Sequence, residues 1–359
     1  MARASPIFIL TAAMYCTNTL TMLRELPRFL ARSFSRSNSV TLLRHGSALG
    51  DVLMVSALAR GLKKFRPGMH VAVVSRRPDL FENNQHVDEN RGWHLWRSGY
   101  TVSAQYKASD LTLGNPHAVE TQWRNLWAEL TEQKFPGALA GPPALDGVHP
   151  EIFLTPAELD RARSRVRVEQ RRPVVLLGSG GKLTPTHNRE WGLENFQTVA
   201  QALAPHAALF QISGSERLTA DGNPIPDLRD LSARDCAAVC AVSDAVLVQE
   251  GGLMHVARAV QAPCVTLFGG FVRAEMTGYA DLVNFTSHPE CSPCIPLRTN
   301  CMHLKCMVEI TPRRVLAALA VKISERSGVA LPPEVIEKAP DIWTPPWFVD
   351  RALLEAQLR

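Results

Sequence analysis

The chain has 359 residues, room for two domains, and its 46% hydrophobic and 20% charged residues describe a sequence that buries a core. Continuous apolar runs all fall short of the roughly eighteen residues a membrane-spanning helix needs. The formal net charge of +5 sits in residues 1–48, where Arg3, Arg24, Arg28, Arg32, Arg36 and Arg44 face one acid, Glu25. The remainder is balanced, which argues against a nucleic-acid-binding face.

In chain order, the apolar run 7–15 follows Arg3 as in a weak signal peptide. Thr17, Asn18 and Thr19 then give no small-x-small cleavage site, so a cytoplasmic protein is expected. Residues 27–36 open with proline at a first helical position. Leu23, Leu26, Leu30 and Phe34 line one side, while Arg24, Arg28, Arg32 and Arg36 recur every four residues. That is the pattern of a basic helix lying on an anionic membrane, with a solvated extension as the other reading.

Residues 39–43 read as a strand entering Arg44-His45-Gly46-Ser47-Ala48-Leu49-Gly50-Asp51. Val52, Val55, Leu58, Ala59 and Leu62 then repeat at helical spacing until Lys63-Lys64 and Pro67-Gly68 stop the helix. A strand is predicted over 71–74 and a helix over 119–130, within a stretch carrying Trp93, Trp96, Tyr100, Trp123 and Trp127. The Pro-, Gly- and Ala-rich residues 136–150 lead to a domain boundary. Thr155-Pro156-Ala157-Glu158 fits a capping box that starts a linker helix running toward Val168. A strand over 174–177 ends in the glycine turn 178–181, followed by a helix over 193–203, a strand over 208–213 and a helix over 233–241.

Residues 244–270 carry the most information. An apolar strand over 245–249 stops at Glu250-Gly251-Gly252. A helix follows, with Met254, Ala257 and Val260 on one side and His255 on the next row. Pro263 breaks it, and a strand over 264–268 ends in Gly269-Gly270. This βαβ unit opens phosphate-binding N–H groups at a helix start, or is an ordinary tight turn. Strands alternating with helices throughout predict an α/β fold of two Rossmann-like, doubly wound domains, with the ligand in the cleft between them. The divisions are a basic extension over 1–38, an acceptor-side domain over 39–150, a linker helix over 151–170, a nucleotide-sugar domain over 171–325 and a tail over 326–359. The tail, with Trp343 and Trp347, is expected to return to the first domain. Neither a G-x-G-x-x-G fingerprint nor a Walker A is present, which speaks against hydride transfer and P-loop chemistry.

Cys291-x2-Cys294-x6-Cys301-x4-Cys306 places four thiols together, with Pro293 and Pro296 between them and His303 as a spare ligand. Four thiolates at this spacing suit a structural tetrahedral Zn²⁺ or an iron centre, and unliganded thiols are the alternative. Cys16, Cys236, Cys240 and Cys264 read as unrelated, Cys236 and Cys240 as core residues one helical turn apart.

Four blocks together resemble glycosyltransferase family 9, the ADP-heptose:lipopolysaccharide heptosyltransferases, over residues 40–319. They are Ser47-Ala48-Leu49-Gly50-Asp51-Val52, then Arg189-Glu190-Trp191, then Ser213-Gly214-Ser215-Glu216. The fourth is Glu250-Gly251-Gly252-Leu253-Met254-His255 with the run 262–269. The resemblance implies the GT-B fold, transfer of a heptose with inversion from ADP-heptose to a lipopolysaccharide inner-core acceptor, and no catalytic metal. It implies Asp51 as general base, although a helix N-cap also fits that position. It places Arg189 and Lys182 on the donor diphosphate, Glu216 on the ribose, and Glu250, Gly251, Gly252 and His255 on the donor, with a packed helix histidine as the other reading of His255. Ser47, Gly50 and His117 fall on the acceptor side. Two departures stand out: Glu250-Gly251-Gly252 where Asp-Ser-Gly is usual, and Arg189 where lysine is common. The expected partners are a nucleotide sugar and a lipid-linked oligosaccharide, with peripheral contact at the inner membrane and no nucleic acid. Alternatives are a protein O-heptosyltransferase, a sugar-nucleotide epimerase of the same fold, and a non-catalytic nucleotide-sugar binder.

Overall fold

A computed structural model describes residues 38–92, 99–107, 110, 114, 116–167, 172–180, 189–287, 289–294, 301 and 304–343. Two separate parallel sheets organise them. The first runs β3-β2-β1-β4, from β1 (Ser39–Arg44), β2 (His70–Ser75), β3 (Glu89–Arg91) and β4 (Tyr100–Ser103). The second runs β11-β10-β9-β5-β6, from β5 (Val174–Gly178), β6 (Ala208–Ser213), β9 (Ala245–Gln249), β10 (Cys264–Leu267) and β11 (Val283–Phe285). A small antiparallel hairpin, β7 (Thr219–Ala220) and β8 (Asn223–Pro224), lies between β6 and β9 in sequence.

The apolar runs become strands because both faces of each sheet are covered. In β5, Val174 and Leu176 enter one core while Val175 and Leu177 enter another. The second core is closed by α4 (Leu193–Leu203) and α7 (Pro312–Ser327). The first core runs without a break from one sheet to the other through α1 (Leu49–Phe65), α2 (Ala118–Glu132), α5 (Ala233–Val242) and α6 (Gly252–Ala259). The lobes are therefore packed helix on helix at their junction.

The linker helix, α3 (Pro156–Arg165), starts at the capping box the sequence predicts: Glu158 N–H donates to Thr155 Oγ1 at 3.3 Å, and Thr155 N–H to Glu158 Oε2 at 2.7 Å. It stops short of Val168. Glu158 also ion-pairs with Arg234 on α5 at 2.7 Å, and Arg234 reaches the carbonyls of Asp79 and Phe153. One buried guanidinium thus ties the linker, the second lobe and the first. The described part of the tail packs on the second lobe, and residues 344–359, with Trp347, lie outside the described residues. Trp343 is buried in that lobe's core, and its indole N–H donates to Glu194 Oε1 at 2.9 Å. No described helix is long and apolar enough to cross a membrane, and the basic segment 1–37 lies outside the described residues.

Candidate active site

The first lobe places Asp51 at the C-terminal edge of its sheet. Helix α1 begins at Leu49 with Ala48 as its cap residue, so Asp51 lies inside the first turn, and its side chain does not cap the helix. Its carboxylate turns toward the strand ends instead. Arg44, the last residue of β1, reaches Oδ2 at 2.5 Å, and the Tyr106 hydroxyl donates to Oδ1 at 2.9 Å. Arg44 is anchored in turn to the Ala104 carbonyl at 3.2 Å. Burial, and next the charge of Asp51, push the Tyr106 phenol well above its usual range, so it stays a donor. The Asp51 side chain keeps 27% of its surface exposed, open to a substrate. Ser47 is exposed in the same turn.

The second lobe presents the counterpart turn at the end of β9. Glu250 N–H donates to the Leu267 carbonyl at 2.9 Å, which fixes the turn. Gly251 adopts φ of 144° with open space where a Cβ would stand, a conformation that L side chains rarely take. The Glu250 side chain is buried. Burial raises its carboxyl above the usual glutamate range, Arg189 pulls it back, and the negative charge of Asp51 raises it again. Arg189 Nε lies 3.1 Å from Glu250 Oε2 without hydrogen-bond alignment, and its guanidinium sits 3.8 Å over the Phe271 ring. The block holding Arg189 is anchored by fully buried Trp191, whose N–H donates to Gln249 Oε1 at 2.6 Å. Glu216 is exposed at the mouth of β6, its carbonyl held by Gln211. Lys182 lies outside the described residues.

The two turns meet where α1 crosses α6. A Cβ on Gly252 would stand 3.1 Å from Leu49 Cβ, and one on Gly50 would overlap the His255 imidazole. Three of the expected site residues meet their neighbours here. Gly50 is the small residue that lets two helices touch. His255 is the packed histidine: its Nδ1 shares a 2.6 Å hydrogen bond with the Tyr279 hydroxyl, and burial lowers its pKa to about 3. His117 caps α2, accepting from Val119 N–H at Nδ1, and its Nε2 pairs with the Gly278 carbonyl of the other lobe at 3.0 Å. It ties the first lobe to the second at this point. Sequence reading also missed Arg44, Tyr106, Phe271 and Arg234. Arg44 and Tyr106 flank the turn that carries Asp51, and that position was the one available signal.

The sequence matches the family described as Glycosyltransferase family 9 (heptosyltransferase) over residues 54–304. The chain belongs to glycosyltransferase family 9. The match begins just beyond Asp51, so the place of that residue rests on the geometry above. Among solved structures, the family 9 glycosyl transferase of Veillonella parvula aligns with a TM-score of 0.60 at 13% identity, covering 80% of this chain and 98% of that one. The ADP-heptose lps heptosyltransferase II of E. coli aligns at 0.57 and 16% identity, covering 80% of this chain and 99% of that one. At such identity the likeness is one of fold, and the fold is GT-B. No curated protein sequence matches the chain.

In this family 9 chain the cysteine segment packs beside the β10 exit. Gly270 N–H donates to Cys306 Sγ at 2.9 Å, and a Cβ at Gly270 would meet both Cys294 Sγ and Cys306 Sγ. Leu304 N–H points at Cys301 Sγ at 3.4 Å, and Cys291 is exposed. Burial, with smaller contributions from the other three thiols, pushes Cys306 up to about 12. The thiol set and its N–H donors suit a thiolate-bound metal. Among the described residues, however, no group of three or more ligand side chains converges into a shell. His303 lies outside them. Cys236 and Cys240 are buried core residues, as expected, and Cys264 is buried as well. A cavity of about 280 Å³ lined by Arg258, Asp281, Lys322 and Arg326 lies at the far end of α6 from Glu250, away from both carboxylates.

Proposed function

We propose that the chain transfers a heptose, with inversion, from ADP-heptose to a lipopolysaccharide inner-core acceptor. The observation that carries this reading is the confrontation of Asp51 and Glu250, one from each lobe, beside the α1–α6 crossing. The donor diphosphate lies against the start of α6, where helix N–H groups and Arg189 neutralise the charge that grows on the departing ADP. Glu216 takes the ribose hydroxyls and Glu250 the sugar, with Lys182 on the diphosphate. We assign the diphosphate charge to these groups and give no divalent cation a step.

Asp51 receives the proton of the acceptor hydroxyl. Arg44 and Tyr106 each engage one carboxylate oxygen, and each oxygen keeps a further acceptor site for that hydroxyl. Proton transfer is late, after the anomeric carbon has become oxocarbenium-like and bonding has begun to acidify the attacking oxygen. Attack from the side opposite the leaving ADP inverts the centre. A lipid acceptor also gives Arg3, Arg24, Arg28, Arg32 and Arg36 a use, holding the enzyme at the anionic inner face of the membrane.

Purified protein incubated with ADP-heptose and truncated core lipids, or with Ser/Thr-bearing protein acceptors, is read by mass spectrometry. A lipid heavier by one heptosyl group supports the reading. Transfer confined to protein hydroxyls overturns the lipid acceptor, and donor conversion with no acceptor marks an epimerase. ADP binding without turnover marks a non-catalytic binder. We further propose that Cys291, Cys294, Cys301 and Cys306 hold a structural zinc or iron that pins their loop. Stoichiometric metal by elemental analysis, lost with Cys294→Ser, supports this; metal-free folded protein overturns it.

A further inference from the structure

Arg189 is held from two sides. Its Nε lies 3.1 Å from Glu250 Oε2, and the face of its guanidinium covers the Phe271 ring at 3.8 Å. Neither contact uses the Nη groups, which are the donors left for phosphate oxygens. An arginine side chain loses rotamer entropy when it is held, and fixing it before a ligand arrives removes part of that cost from binding.

Phe271 is itself fixed by its neighbour. Gly270 donates its N–H to Cys306 Sγ at 2.9 Å and accepts from the Cys294 N–H at 2.7 Å. There is no room for a side chain at this position: a Cβ would stand 2.9 Å from Cys294 Sγ and 3.2 Å from Cys306 Sγ. Two residues beyond Phe271, Arg273 donates to the Ser292 carbonyl at 2.6 Å. The exit loop of β10 is thus stitched to the cysteine segment on both sides of the phenyl ring.

We propose that Phe271 is a positioning residue for Arg189, and that the cysteine segment, acting through Gly270, sets the grip of the donor diphosphate. The inference rests on the assignment of Arg189 to that diphosphate. It gives the cysteines a functional consequence: they hold a strand exit whose next side chain is the platform of a donor-site cation.

The test measures ADP affinity by calorimetry on the full-length protein, with a thermal melt of each variant as a check on folding. Phe271→Ala weakens ADP binding about tenfold, as loss of a partly desolvated cation–π platform predicts. Phe271→Tyr keeps the platform and the affinity. In an Arg189→Ala background, Phe271→Ala costs nothing further, because its effect runs through the guanidinium. Gly270→Ala and Cys306→Ser reproduce the Phe271→Ala loss. Additive losses in the double variant, or a Tyr variant as weak as the Ala variant, overturn the role of Phe271. Folded Gly270→Ala protein with unchanged ADP affinity overturns the role of the cysteine segment, and Cys306→Ser serves the same purpose if Gly270→Ala fails to fold. If Arg189→Ala alone leaves ADP binding intact, the donor assignment of Arg189 fails, a result distinct from failure of the link.

Discussion

The first-lobe and second-lobe turns occupy the same topological place, a strand exit leading into a helix, yet they treat their carboxylates in opposite ways. Asp51 is part-exposed and held at both oxygens by its own lobe, through Arg44 on one and Tyr106 on the other. Glu250 is buried, its carboxyl is raised, and among the described residues its ion-pair partner Arg189 sits without hydrogen-bond alignment. A satisfied network is rigid, whereas a buried charge without aligned donors is costly. The difference is that of a preorganised group and one whose partners arrive with a ligand. On the proposed function, Asp51 acts on a substrate that approaches from solvent, and Glu250 with Arg189 is completed by a donor.

The sharpest way to break this comparison is Asp51→Asn. The amide keeps the shape but cannot take a proton, so transfer is expected to fall about a thousandfold, within the range for loss of a general base. ADP affinity by calorimetry is expected to change little, since the donor grip lies on the other lobe. Turnover within tenfold of the parent would remove Asp51 from the chemistry and leave it a structural anchor for Arg44.

Gly50→Ala attacks the contact that brings the turns together. The new Cβ overlaps the His255 imidazole, which has no free direction because Tyr279 holds its Nδ1. Overpacking of this kind costs about 1–3 kcal/mol. The thermal midpoint should fall by several degrees, and transfer should fall with it. A variant that melts like the parent would show that the lobes can part at this crossing without loss.

Much of this frame was legible in the sequence. Helix Leu193–Leu203 and strand Ala208–Ser213 fall where hydrophobic periodicity and turn residues place them, because those signals are local. The site was half legible. The resemblance singled out Asp51, Glu250 and Arg189, but it could not show that Asp51 is gripped by a tyrosine far along the chain, or that Phe271 lies under Arg189. Arg44 counted only as part of a basic segment. The neighbours of Gly50 and His117, which are His255 and Gly278, come from the opposite lobe, and Tyr279 meets His255 from a later segment of its own lobe. Periodicity reports which face of an element is apolar and says nothing of what that face meets.

Tyr106→Phe separates positioning from chemistry. It removes one hydrogen bond to Asp51 Oδ1 and leaves Arg44 in place. A hydrogen bond to a charged group is worth about 1.5–3 kcal/mol, and the part-exposed site discounts this toward a tenfold loss of rate. The loss should appear in kcat with ADP affinity unchanged. A change confined to thermal stability would make Tyr106 a packing residue only.

The smallest expected effect concerns the lobe contact itself. His117 is buried and its pKa is lowered to about 4, chiefly by burial, against 6.5 for an unperturbed histidine. As pH falls below 6.5 the unfolded chain takes up a proton at this position and the native chain does not. The stability His117 contributes is therefore complete above that value and declines until pH reaches about 4. One such group accounts for about 0.7 kcal/mol between pH 7 and pH 6. His255, lowered to about 3, adds a decline of the same sign. His117→Asn keeps a capping side chain for α2 and has nothing to titrate, so its unfolding free energy should fall less steeply over that interval. Urea titrations at both pH values decide the matter: equal slopes for parent and variant would mean that His117 takes up its proton in the folded protein, and the junction between the lobes would then have to be wet.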